Sequence, residues 1–171
     1  MNYTKRIAYG GVFIASGIVI SMVIHSLGGQ ALGKMFLPLH FIVILAGLLI
    51  GPWVGMVVGA VIAPLSGLLF GMPPLMPPVA FFMAFEMATY GLLTGYLEGQ
   101  GLNVYVNLAI SLTSGRLVYS LSYYIIGAMI GIHLKAITAI LLSFAVGGPG
   151  ILIQFLLIPA IYHSVKRARL S

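Results

Sequence analysis

The chain has 171 residues, 61% of them hydrophobic, with a mean hydropathy of +1.15, two acidic side chains and no cysteine. No polar stretch is long enough for a soluble domain, which excludes an attached ATPase or receptor module, and the lack of thiols excludes disulfides, thiolate metal sites and a cysteine nucleophile. The formal charge of +6 does not mark a nucleic-acid partner. The cations gather at Lys5 and Arg6 before the first apolar run and at Lys166, Arg167 and Arg169 after the last, which is the pattern of a membrane topology signal.

Apolar runs of about 20 residues span a bilayer as helices, and the chain reads as one membrane-embedded domain, residues 1–171, containing six of them. The first runs from about Ile7 to Leu27; no A-x-A-like site follows it, so it is expected to be a span and not a cleaved signal. The polar connection GGQALGK follows. The second span covers Leu37 to Ile50 and stops at Gly51-Pro52, because proline lacks the backbone donor and disfavours helix in the residue before it. The third starts near Trp53, is expected to kink at Pro64 and ends near Gly71. GMPPLMPP then forms a stiff non-helical connection. The fourth span reads Val79 to Leu97, closed by the glycine-rich EGQG, and the fifth Val104 to Ile130. In the last apolar stretch, Gly147-Gly148-Pro149-Gly150 predicts a break: Ala136–Val146 as a short surface helix, then a sixth span from Pro149 to about His163.

Six spans put both termini on one side, and the positive-inside rule makes that side cytoplasmic. The fold class expected is thus an all-α integral membrane bundle of six transmembrane helices in a prokaryotic plasma membrane. The longer connections at 28–36, 71–78 and 131–148 fall on the outer face, where an elaborated site is expected to open.

Two charges interrupt the apolar spans, and a charge at mid-membrane costs about 2.5–3.5 kcal/mol on insertion scales, so such residues face a cavity, a partner or a ligand. Glu86 lies about 12 Å below the outer end of the fourth span, with Tyr90 at i+4. It either contacts ligand or forms a structural ion pair with Arg116. Arg116, Tyr119, Ser120 and Tyr123 form a polar stripe on the fifth span, facing the bundle interior. A guanidinium binds carboxylates in a two-pronged geometry, so this stripe is either a ligand surface or helix–helix packing. Gln154, about 8 Å below the outer end of span six, either touches ligand or ties two helices together. His40, near the outer end of span two, is a ligand contact or an interfacial residue, whereas His25 and His133 read as interfacial. The histidines lack metal-site spacing, no resident cofactor is expected, and the chain has no aspartate, H-E-x-x-H or G-x-S-x-G to support intramembrane catalysis. Ser66 has no evident base. On the first span Ala8, Gly11 and Ala15 place small residues on one face, which lets a helix approach closely, either within the chain or against another membrane subunit.

The first helix around Gly11 and Ala15, LPLHFIVILAGLLIGPWVG (37–55), GMPPLMPP with FEMATYGLLTGYL (71–97), GRLVYSL (115–121) and GGPGILIQFLLIP (147–159) occur in an order and spacing that resembles the substrate-binding S components of energy-coupling factor (ECF) vitamin transporters, over essentially the whole chain. The resemblance implies a six-helix bundle that captures a vitamin from outside. It also implies association with a transmembrane coupling component and two cytoplasmic ATPases, so that the chain itself is non-catalytic. Docking to the coupling component would use Gly11 and Ala15 with Ala8 adjacent, although glycine stands where alanine is common in that motif. The pocket would form from the first outer loop and helices four to six, a region that holds Glu86, Arg116, Tyr119, Tyr123 and Gln154.

The resemblance does not name the vitamin. Arginine with tyrosines and a glutamine suits a small hydroxylated acid with an amide, such as pantothenate. If Glu86 neutralises Arg116, a neutral ligand such as pyridoxine fits equally. The reading from a different class is a non-transport membrane assembly protein.

Overall fold

A computed structural model describes residues 2–76, 78–129 and 136–170, with side chains described outside 136–145 and 169–170. The expectation for His133 lies outside the described residues. The chain folds as α1 (Tyr3–Phe36), α2 (Pro38–Ile50), α3 (Pro52–Phe70), α4 (Val79–Gly99), α5 (Val104–Met129) and α6 (Ala136–Leu170), with no strand among the described residues. By length and composition, three segments among the described residues can cross a membrane: α1, α3 and Val146–Ala168 of α6. The chain is all-helical and of membrane-protein character.

Local chemistry explains most boundaries. Pro38 and Pro52 occupy the first turns of α2 and α3, where their missing N–H groups cost no helical hydrogen bond. Gly51, at φ 122°, separates these two helices. The Asn103 carboxamide oxygen accepts from the Tyr105 N–H at 2.9 Å at the start of α5, a common way of satisfying first-turn donors. Residues 71–76 are non-helical, as the prolines dictate.

Two elements differ from expectation. The connection after the first span is not a loop: helix resumes after Gly28 (φ −156°, ψ 22°) and Gly29 (φ 60°, ψ −151°) and continues to Phe36. Glycine tolerates the positive φ, so the chain swings its axis there and re-enters helix at once. The returning segment packs on the first half of α1, and a Cβ at Gly33 would collide with the His25 ring. The second difference is α6, which runs unbroken through Gly147–Gly150, so 136–146 is not a separate surface helix. In an apolar medium a helix break exposes several backbone groups, whereas Pro149 forfeits a single hydrogen bond. Gly150 serves packing: a Cβ there would lie 2.6 Å from the Met35 carbonyl oxygen.

The arrangement puts α2 at the centre. It contacts α1, α3, α4 and α6, and the outer helices touch in the order α1–α3–α4–α5–α6 and back to α1. Every residue of α2 except Phe41 and Leu49 is buried. Glycines bring α2, α3 and α4 to backbone contact: a Cβ on Gly55 would lie 2.6 Å from the Gly47 Cα, the close approach that drives helix association in lipid. Polar ties add to this. Asn107 Nδ2 donates to the Thr94 carbonyl at 2.8 Å and Ser111 Oγ to Asn107 Oδ1 at 3.1 Å, joining α4 to α5. At the end of the bundle that carries Arg6, Tyr162 donates to Glu98 at 2.8 Å and Lys166 Nζ lies 3.3 Å from the same oxygen.

Helix α1 meets the bundle through Gly10, Gly17 and Ser21, its buried residues. Ala8, Gly11 and Ala15 are exposed, and nothing lies within 4 Å of a Cβ built on Gly11. The face expected to mediate close approach is therefore not used within the chain.

Candidate functional site

At the end of the bundle opposite Glu98, a cavity of about 390 Å³ lies between α1, the start of α2, the proline connection, α4, α5 and Val146 of α6. Its volume is within the range of small-molecule sites. The walls are formed in part by Leu37, Pro38, Met72, Pro73 and Met83. The proline connection is held by Ser66, whose hydroxyl donates to the Met72 carbonyl at 2.7 Å. Ser66 thus has a structural partner. Leu37 links α1 to α2 in a left-handed conformation (φ 51°, ψ 50°), its N–H donating to the Gly33 carbonyl at 3.1 Å. A leucine held there costs backbone strain of order 1 kcal/mol, so the turn beside the cavity is enforced by its surroundings.

The floor holds a charged cluster. Glu86 is fully buried. Its Oε1 accepts from Tyr90 Oη at 2.6 Å and pairs with Arg116 Nη1 at 3.0 Å. Its Oε2 lies 3.6 Å from His40 Nε2, too long for a hydrogen bond. Oε2 and both His40 ring nitrogens are buried without a hydrogen-bond partner. Such groups cost about 1–3 kcal/mol each when left unsatisfied. Glu86 and Arg116 thus form an ion pair, and both line the cavity.

Of the residues singled out from sequence, Glu86, Arg116, Tyr119, Tyr123 and His40 line this cavity. Tyr90 is fully buried and holds Glu86 from below, with its ring 5.6 Å from that of His40. Tyr119 and Tyr123 stack on each other, centroids 6.0 Å apart, and each meets Phe82 edge-on. They form an aromatic wall whose faces are largely engaged. Gln154 is buried with both amide atoms unpartnered and does not line the cavity.

The cavity also recruits residues not expected there. His25, read as interfacial, and Ser21 line it, next to Gln30 and Lys34 of the 28–36 stretch where the site was expected to open. The His25 Nδ1–H donates to the Ser21 carbonyl at 2.7 Å, which fixes the ring against its own helix. The signal was present in the Gly28-Gly29 pair, which folds the following turn back over His25.

The chain matches no family model, no curated protein and no solved structure.

Proposed function

We propose that the chain is the substrate-capturing membrane subunit of an ECF-type, ATP-driven vitamin importer. In this reading it crosses a prokaryotic plasma membrane six times with both termini in the cytoplasm and hydrolyses no ATP itself. The observation that carries the reading is the cavity of about 390 Å³ at one end of an apolar bundle, ending on a buried, incompletely satisfied polar cluster. A membrane protein tolerates buried charge chiefly where it serves a ligand, an ion or a partner.

The topology follows from charge and length. Helices α4 and α5, with 21 and 26 residues, rise about 32 and 39 Å and are long enough to cross a hydrocarbon core of about 30 Å. Their embedded polar residues lower their hydropathy without shortening them. Arg6 and Lys166 flank the same end of the bundle, and Trp53, Tyr96 and Tyr105 are exposed at nearby helix ends, as expected of an interfacial aromatic belt on a positive-inside face. The cavity then opens to the outside.

The open face at Ala8, Gly11 and Ala15 supplies a docking strip for a transmembrane coupling component, which would in turn engage two ATPases. The ligand is a small water-soluble vitamin. Pantothenate suits a cavity that combines hydrogen-bonding groups with a cation, while the Glu86–Arg116 pair favours pyridoxine as the second candidate by neutralising the buried arginine.

Mass spectrometry of small molecules extracted from the purified, detergent-solubilised chain tests the proposal. One water-soluble vitamin at near-stoichiometric amount is the expected result. Recovery of lipid alone from protein that retains its fold overturns it.

A further inference from the structure

We propose that Lys34, and not Arg116, reads the anionic group of the ligand, while the cavity floor reads a hydroxyl or N–H donor through Glu86 Oε2. This rests on the vitamin-binding reading of the same cavity and adds the chemical class of the ligand and its orientation.

The chain has two acidic side chains, Glu86 and Glu98. Glu86 pairs with Arg116 at 3.0 Å, and Glu98 pairs with Lys166 at 3.3 Å at the other end of the bundle. No third acidic side chain exists to pair with Lys34. Yet Lys34 lines the cavity, remains exposed, and sits in the last turn of α1, where the helix carbonyls favour a cation. An anion entering the cavity meets this charge without breaking any existing pair.

Arg116 offers the opposite situation. Its guanidinium already neutralises a fully buried carboxylate. A ligand carboxylate bound there would bring two like charges to one cation in a water-poor site, or would leave Glu86 uncompensated.

What the floor lacks is a donor. Neither Glu86 Oε2 nor either His40 nitrogen has a hydrogen-bond partner, although Oε2 and His40 Nε2 lie 3.6 Å apart. A ligand hydroxyl or N–H that reaches Oε2 from the cavity side donates to it, beside the His40 ring 3.6 Å away and not between the two. A neutral imidazole has one donor and one acceptor nitrogen, so His40 can pair with the same group or its neighbour. Between floor and mouth, Leu37, Pro38, Met72, Pro73 and Met83 offer apolar wall. The ligand class is therefore bipolar: a donor-bearing head held deep, an apolar middle and an anionic tail at the mouth. A hydroxylated carboxylic acid fits, whereas a neutral pyridine alcohol leaves Lys34 unused.

The test is titration calorimetry with matched acid and neutral vitamin pairs, pantothenate with pantothenol, nicotinate with nicotinamide and biotin with biotin amide, against the native chain, Lys34→Gln and Lys34→Arg. An exposed ion pair contributes up to about 1 kcal/mol, or about five-fold in affinity. The expected result is one acid bound about five-fold tighter than its neutral partner, a preference lost in Lys34→Gln and kept in Lys34→Arg, with the neutral partner's affinity unchanged. A preference that survives Lys34→Gln, or equal binding of both members by the native chain, overturns the proposal and leaves the vitamin site intact. Binding of no pair overturns the acid-ligand proposal and leaves the vitamin reading to the extraction experiment.

Discussion

Arg116 Nη1 lies 3.0 Å from Glu86 Oε1, the same oxygen that accepts the 2.6 Å hydrogen bond from Tyr90. One carboxylate oxygen thus joins α4 to α5 at the cavity floor while its twin stays unbonded. Removing one member of a buried pair costs about 3–5 kcal/mol, because the other charge is stranded. Arg116→Ala is therefore expected to lower the melting temperature of the detergent-solubilised chain sharply. Arg116→Met combined with Glu86→Gln is expected to recover most of the loss. A double variant as unstable as the single one contradicts the pairing.

Transport and ligand binding are expected to separate on α1. Gly11→Leu and Ala15→Leu project into open space, so each is expected to abolish uptake in cells while the isolated chain keeps its affinity and melting temperature. Gly17→Leu is the contrast, since any side chain there meets Ile62 and Ile42. Overpacking of this kind typically costs about 1–3 kcal/mol. Thermal melts and uptake assays on the three variants check the distinction. A stability loss in Gly11→Leu equal to that in Gly17→Leu assigns both faces to folding.

The position of the termini is checked by labelling. The chain has no native cysteine, so Ser171→Cys carries a single thiol. A membrane-impermeant maleimide is expected to label it in permeabilised cells and not in intact ones. Labelling from outside intact cells contradicts the six-span topology.

Gln154 carries two amide atoms buried without a partner. Replacing an unsatisfied buried amide by an apolar group of similar shape is neutral or stabilising. Gln154→Leu is expected to leave the melting temperature unchanged or raised, and ligand affinity unchanged, because the residue does not line the cavity. A loss of affinity measured by calorimetry would return Gln154 to the ligand site.

Much of the helix layout was legible because its punctuation is local. Pro38, Pro52 and the 71–78 prolines act through their own missing donors, and each boundary falls within a residue or two of expectation. Of the two misread stretches, 28–36 does break at Gly28-Gly29 but then resumes as helix, whereas at 147–150 the cost of exposing backbone in apolar surroundings outweighs the local preference for a stop. The floor of the site was legible because charge in an apolar run is conspicuous: Glu86 and Arg116 stood out and do meet. Lys34 falls in the 28–36 connection that was expected at the site, whereas His25 was not legible as a cavity residue, since its placement depends on the turn at Gly28-Gly29. The Asn107–Thr94 tie was missed for a similar reason: an asparagine near a helix start gives no sign of which neighbouring backbone it will reach.

Helix α2 has 13 residues and so rises about 20 Å, some 10 Å less than the thickness of a hydrocarbon core. The cavity lies against its first residues, Pro38, Leu39 and His40. In the proposed topology the cavity is the unfilled remainder of a central column, with the other helices acting as its casing. Its depth is a matter of backbone length: one further turn on α2 would fill about 5.4 Å of it, and one fewer would admit a longer cargo. A scaffold built this way can change the size of what it carries by insertion or deletion at a single helix end, leaving the outer walls and their docking strip untouched.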